Sequence, residues 1–317
     1  MSKNNLLGLQ EGIAELKKEL KKKQLIAFVG SGMSIREPSN LPNWDTFIQQ
    51  FIEYCSDLSE LLEDPYKSEF SAVINDARNI KGNDPTKVAS VLKDKLSEID
   101  KDNLVTINIE SHLKRWFIEK FSTVEYNSNH ENIVNIEFPY ILTSNYDMLL
   151  EKALERTDHK RLAYSTYTFT EADKIASSLF SKSFSIIHIH GKYEDIVVDN
   201  IVFTSEDYTK MLRRQFPGFT MTIQNLLTNF STIFLGYGGS DPHLEDILEE
   251  HSYYLNYSKI NSLPRNYMVV LRKNANKIFS EYKFKRRTSL IAIDTYDEYD
   301  TLLQELRSAY PREKTLF

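Results

Sequence analysis

The sequence predicts an α/β fold: a parallel sheet with helices on both faces and a largely helical insertion. The first observation is a set of four apolar runs: Leu25-Ile26-Ala27-Phe28-Val29, Pro139-Tyr140-Ile141-Leu142, Ser185-Ile186-Ile187 and Thr232-Ile233-Phe234-Leu235. Their length and their β-branched or aromatic content suit parallel strands buried on both faces. The second is that each run ends in glycine or small polar residues, placed where an open α/β sheet presents its ligand. Third, the stretches around the runs carry apolar residues at helical spacing.

In chain order, residues 1–24 read as an amphipathic helix. Its apolar positions Leu6, Leu9, Ile13, Leu16 and Leu20 repeat at three and four, which leaves Lys17, Lys18, Lys21, Lys22 and Lys23 mostly on the wet side. That face is either simply solvated or a docking surface for another subunit. The first strand then runs into Gly30-Ser31-Gly32-Met33-Ser34. From about Phe47 to Glu137 lies the insertion, where Phe47, Phe51, Leu58, Leu61 and Leu62, then Val88, Val91, Leu92 and Leu96, then His112, Leu113, Trp116, Phe117 and Phe121 mark several amphipathic helices. Such helices would form a lid over the cleft.

The second strand leads into Thr143-Ser144-Asn145-Tyr146-Asp147. Asp147 has two readings: it orients Asn145 or binds the ligand, or it caps a helix that opens at Met148. The third strand leads into His188-Ile189-His190-Gly191. On a regular strand the two histidines share a face about 7 Å apart, so only the terminal His190 should reach a ligand. Residues 206–230 read as helix, broken at Phe216-Pro217-Gly218. The fourth strand ends in Gly236-Tyr237-Gly238-Gly239-Ser240-Asp241, with Pro242 suited to the first position of the next helix. Leu290 to Asp294 is a last strand, preceded by the basic cluster Lys283, Lys285, Arg286 and Arg287. The whole chain, 1–317, reads as one domain, an α/β core over 24–295 interrupted by the insertion at about 47–137.

Of ten glycines, six fall in three of these four strand-terminal segments, so backbone there must approach something closely. The rest of the composition narrows the class. One cysteine, Cys55, excludes an internal disulfide, and a net charge of -6 argues against a nucleic-acid footprint, which needs basic surface. No apolar stretch has the length of a membrane span or signal peptide, and the expectation is a cytoplasmic protein.

The four segments, in this order, resemble the sirtuin-like family of NAD-consuming proteins over about Gln24 to Asp294, whose fold is a Rossmann-like sheet. By that resemblance Gly30, Ser31, Gly32 and Ser34 are a phosphate loop, Thr143 and Asn145 belong to a catalytic segment with Asp147, and His190 is a catalytic histidine. Gly236, Gly238, Gly239, Ser240 and Asp241 resemble a later ribose and phosphate loop, and the last strand would lie beside the adenine. Deacylating sirtuins hold a zinc with four cysteines, and a single cysteine cannot build that module. The helical insertion, Leu41-Pro42-Asn43-Trp44 and Phe203-Thr204-Ser205-Glu206-Asp207-Tyr208 resemble instead the NAD-hydrolysing branch of bacterial anti-phage defence.

The resemblance implies NAD as substrate, no metal, and cleavage to nicotinamide and ADP-ribose, with NAD depletion as the means of defence. Asn145 can donate and accept at once, which suits holding a ribose hydroxyl or water. His190 is the natural base, its ordinary pKa lying near neutrality; alternatively it is packed against the sheet. Because unrestrained NAD cleavage would kill the host, the expected partners are further copies of the chain, as a homo-oligomer, or a separate activating protein. Two other functions stand beside the hydrolase: a non-catalytic regulatory subunit that binds NAD or ADP-ribose, and an NAD-dependent protein deacylase.

Overall fold

The computed structural model describes residues 6–80, 84–102, 109–156, 164–198, 200–213, 215–239, 241–257, 264–281 and 288–312. Among these the strands are β1 (Leu6–Gly8), β2 (Leu25–Val29), β3 (Tyr140–Thr143), β4 (Ser165–Thr168), β5 (Ser185–His188), β6 (Ser231–Leu235), β7 (Asn266–Leu271) and β8 (Thr288–Ile293). They form one sheet in the order β1-β8-β7-β6-β2-β3-β5-β4, and every neighbouring pair is parallel. From β2 the chain builds β3, β4 and β5 on one side, then crosses to lay β6, β7 and β8 on the other. The strand order therefore reverses at β2, and a crevice opens at the carboxyl ends there.

The helices are α1 (Leu9–Lys21), α2 (Trp44–Ser59), α3 (Tyr66–Arg78), α4 (Pro85–Asp102), α5 (Ile109–Ser122), α6 (Ser128–Val134) and α7 (Leu149–Arg156). After β4 come α8 (Ala172–Ser181), α9 (Ser205–Leu212), α10 (Pro217–Asn229), α11 (Pro242–Tyr257), α12 (Ala275–Glu281) and α13 (Glu298–Ala309). Alternation along β2 sends Leu25, Ala27 and Val29 to one face, packed with residues of α1, α6, α7 and α13. Ile26 and Phe28 go to the other, packed with α8, α9, α10 and α11. Both faces are covered, which is why the strands read as apolar runs rather than alternating ones.

The insertion has its own core. Phe47 and Phe51 of α2, Phe70 of α3, Leu92 of α4 and Phe117 of α5 are buried together, and the cluster closes on Tyr146, Tyr193 and Phe203 at the carboxyl edge of the sheet. Aromatic rings carry much of it: Phe47 meets Trp116 at 5.3 Å and Phe117 at 5.7 Å between centroids. Each such side chain contributes about 1.5–3 kcal/mol when fully buried. Four helices are thus seated over the edge where the strands end. Helix α6 is different, packing against α7 and α13 on the sheet.

Three differences from the sequence reading concern the sheet. Leu6 is not helical: it pairs with Leu290, and Leu7 with Ile291, because the open edge of β8 offers backbone partners. Helix α1 begins at Leu9. Strands β4 and β7 complete a sheet for which the sequence predicts five strands. The lysines of α1 do lie outward, with Lys17 paired to Glu305 and Lys18 to Glu15. The cluster Lys283 to Arg287 lies outside the described residues. The expected break at Pro217 separates α9 from α10, with proline in the first turn. Among the described residues no helix is long and apolar enough to cross a membrane.

Candidate active site

A cavity of about 310 Å³ lies at the carboxyl ends of β2, β3, β5 and β6. The core side supplies Gly30, Ser31 and Ser34 after β2, Asn145 and Asp147 after β3, His190 after β5, and Gly236, Gly238 and Asp241 after β6. The insertion supplies the opposite wall with Trp44, Phe47, Thr86 and Phe121, joined by Tyr146 and Tyr208. Nine of the residues picked out from sequence therefore meet in one cavity. Thr143, Gly32 and Gly239 do not line it, nor does any residue of β8. Ser240 lies outside the described residues.

Asn145 is held from several sides. Its N–H donates to the Thr143 hydroxyl at 3.1 Å, and that hydroxyl donates to the Val29 carbonyl at 2.9 Å, tying the end of β3 to β2. Its side-chain Nδ2 donates to Ser34 Oγ at 3.3 Å. The amide oxygen Oδ1 has no hydrogen-bond partner, although the residue is only 7% exposed. A residue that lines the cavity thus carries one buried acceptor with no partner in the protein.

Ser34, expected in a phosphate loop, is bonded within the protein. Its hydroxyl donates to Asp147 Oδ2 at 3.0 Å and lies 3.1 Å from His130 Nε2, and it is 1% exposed. The direction of these bonds follows from the donors. His130 Nδ1 accepts from the Asn127 N–H at 3.2 Å, so Nε2 carries the proton and donates to Ser34. Burial pushes the His130 pKa down to about 3, which keeps the ring neutral. Asp147 Oδ1 accepts from the Leu149 N–H at 3.2 Å, a helix cap, while Oδ2 accepts from the Ser34 hydroxyl, to which Asn145 Nδ2 donates. Burial raises its carboxyl, partly offset by those two donors.

His190 stands just past β5, 3% exposed, and its Nε2 lies 2.9 Å from Asp241 Oδ2. The atoms are close enough for an ion pair but lack the alignment of a hydrogen bond. The ring also meets the edge of Tyr208 at 5.3 Å between centroids. Burial alone would raise the Asp241 carboxyl; His190 beside it and the Leu244 N–H at 2.7 Å outweigh that and hold it below the ordinary range. Sequence reasoning placed Asp241 with the ligand loop and did not see this partnership. His188, as expected, is deeper: it is fully buried and does not line the cavity.

The clustered glycines turn out to approach each other. A Cβ on Gly30 or Gly32 would come within 2.7 Å of the Gly236 carbonyl oxygen, and one on Gly236 within 2.6 Å of the Met33 nitrogen. Gly236 also has φ +61°, a conformation that L side chains rarely adopt. The Gly32 N–H donates to the Gly236 oxygen at 2.9 Å, so this amide stitches the two loops together and is not open to a pyrophosphate. Gly238 differs from these three: a Cβ there would have nothing within 4 Å.

Glu151, His130 and Tyr208 are residues around the site that sequence reasoning missed. Only Glu151 had a local signal: it sits on the apolar stripe of α7 between the buried Leu150 and Leu154, where an acid is out of place. Among the described residues no group of histidines, cysteines and acids could hold a metal ion. Cys55 is buried in the insertion, where its thiol is pushed up to about 12 by burial.

Residues 139–293, which carry Asn145, His190 and the loop after β6, match the family model described as SIR2-like domain. The chain is similar to a protein named NAD(+) hydrolase ThsA from Enterococcus faecium, 24% identical over 216 residues, 61% of this chain and 42% of the relative. A protein of the same name from Bacillus cereus is 24% identical over 63% of this chain and 43% of the relative. Defense-associated sirtuin 2 of Bacillus subtilis is 22% identical over 78% of this chain and 21% of the relative. The matched part spans less than half the length of each of these relatives. With an eight-stranded parallel sheet, the motifs in family order at its switch point and a SIR2-like match over residues 139–293, the chain is similar to the sirtuin-like family.

Proposed function

We propose that this chain is an NAD glycohydrolase, cleaving NAD to nicotinamide and ADP-ribose as the effector of a bacterial anti-phage system. The observation that carries the reading is the meeting of Asn145, with its unpaired amide oxygen, and His190, backed by Asp241, in one cavity at the sheet's switch point. The similarity to proteins named as NAD(+) hydrolases supports it.

The chemistry asks little of the protein beyond placement. The nicotinamide of NAD is cationic, so when its bond to the ribose anomeric carbon breaks, the electron pair goes to the ring and a neutral molecule leaves. Water forms the new bond to that carbon and gives up one proton. Asn145 would hold a ribose hydroxyl or the water through Oδ1, and His190 would take the proton. The carboxylate of Asp241 stabilises the imidazolium that results. The aromatic wall of Trp44, Phe47, Phe121 and Tyr146 keeps other water away and strengthens these interactions.

No metal is needed for this step, and activity should survive chelators. The test is to incubate the purified chain with NAD and follow free nicotinamide and ADP-ribose, with and without an acetylated peptide and with and without a chelator. Peptide-independent, chelator-resistant nicotinamide release supports the hydrolase. Tight ADP-ribose binding without cleavage would make the chain a regulatory subunit, and acetyl transfer to ADP-ribose would make it a deacylase. Control through self-assembly or an activating protein is part of the proposal; turnover that rises with protein concentration or on adding a co-encoded protein supports it.

A further inference from the structure

Beneath the cleft lies a second pair that the reaction does not use. His188 Nε2 is 2.8 Å from Glu151 Oε1, with the two side chains 0% and 4% exposed. The other ring nitrogen, Nδ1, is 3.0 Å from the main-chain oxygen of Asn145. A carbonyl can only accept, so Nδ1 carries a proton and donates to it. Glu151 Oε1 is held in turn by the Thr166 hydroxyl at 3.2 Å. One imidazole thus links β5, α7, β4 and the segment after β3, and a ring bonded at both nitrogens cannot turn about its own axis.

Neither residue lines the cavity. Stability alone is a poor reason to bury such a pair, because apolar residues of the same volume usually serve a core as well or better. Glu151 Oε2 even has no partner. What the pair does touch is the peptide carbonyl of Asn145, a residue that lines the cleft. The Asn145 side chain leaves the same backbone that His188 fixes on one side and Thr143 on the other.

We propose that His188 and Glu151 are a positioning pair that fixes the Asn145 carbonyl and thereby the aim of the Asn145 amide into the cleft. Neither is a catalytic residue. The inference rests on the hydrolase reading for its kinetic consequence but not for its structural one. A misplacement of about 1 Å at a reacting group costs on the order of 10²-fold in rate.

The test separates the two bonds of the ring. In His188→Asn the amide nitrogen stands near the place of Nδ1 and keeps the bond to Asn145, whereas in His188→Gln it stands near Nε2 and keeps only the bond to Glu151. Similarly Glu151→Gln can still donate to Nε2 and hold the ring, while Glu151→Ala cannot. Expected are kcat losses within about threefold for His188→Asn and Glu151→Gln, and on the order of 10²-fold for His188→Gln and Glu151→Ala, with little change in KM for NAD. Hydrogen exchange over residues 143–150 is measured on the same four proteins without NAD. It should quicken only in the second pair. Should the wild type cleave no NAD, the hydrolase reading fails while the exchange still decides the positioning. Equal exchange and equal turnover across the four, or equal losses in all of them, overturns the pair's role.

Discussion

Asp241 Oδ2 lies 2.9 Å from His190 Nε2, although the strands that deliver them, β6 and β5, are separated in the sheet by β2 and β3. The contact spans the crevice between the strand ends and joins the two halves of the sheet at the cleft. Asp241 also caps α11 through the Leu244 N–H. Its two roles can be separated, because asparagine caps as well as aspartate but carries no charge. Asp241→Asn is expected to lower kcat on the order of 10–10²-fold with a thermal midpoint close to wild type, while Asp241→Ala should add about 1 kcal/mol of destabilisation. A kcat unchanged in Asp241→Asn would leave His190 acting without it.

The glycines offer a contrast between fold and ligand. Gly236→Ala meets backbone at 2.6 Å in a left-handed conformation, and a destabilisation of about 2 kcal/mol or more is expected in denaturant unfolding. Gly238→Ala has open space, so its stability should stay within about 0.5 kcal/mol of wild type. Since Gly238 lines the cavity, the same variant should raise KM for NAD. Unfolding by the second change, or none by the first, would refute this assignment of the two positions.

Two buried histidines contribute to the response to acid. Burial lowers His130 to about 3 and His243 to about 4, against an ordinary value near 6.5. Above pH 6.5 both are neutral folded or unfolded and cost nothing. Below it the unfolded chain takes up protons that the folded chain refuses, so stability falls as pH drops, by about 1.4 kcal/mol per pH unit for each histidine. His243 stacks on Phe219 at 6.1 Å, and its ring nitrogens have no hydrogen-bond partner. His243→Phe should therefore make the fall in thermal midpoint between pH 6.5 and 5 shallower by roughly one histidine's share. An unaltered slope would show that His243 titrates normally in the folded chain.

How far the sequence spoke depended on whether the cause was local. β2, β3, β5 and β6 were legible because burial on both faces makes them uniformly apolar and because distinctive loops come after them. β4, Ser-Thr-Tyr-Thr, is an edge strand of mostly half-buried polar residues and shows no such run. β7 has the apolar run but no loop chemistry after it to single it out. Leu6 continued the three-and-four spacing of α1, and only the free edge of β8 makes it a strand. Asn145 and His190 line the cavity at the strand ends where their segments placed them. Long-range contacts were not legible: His190 to Asp241, and His130 through Ser34 to Asp147, join residues 51 and up to 113 positions apart. The glycine clusters were legible as a close approach, but sequence could not show that Gly30, Gly32 and Gly236 approach one another.

The most direct test of the central claim is NAD turnover by Asn145→Ala and His190→Ala, measured as nicotinamide released under conditions where the wild type is active. Both residues line the cavity, and neither belongs to the apolar cores. The expected result is a loss of about 10² to 10⁴ in rate for each, with far-ultraviolet circular dichroism and thermal midpoint near those of the wild type. Full turnover in either folded variant would contradict the account and remove that residue from the mechanism.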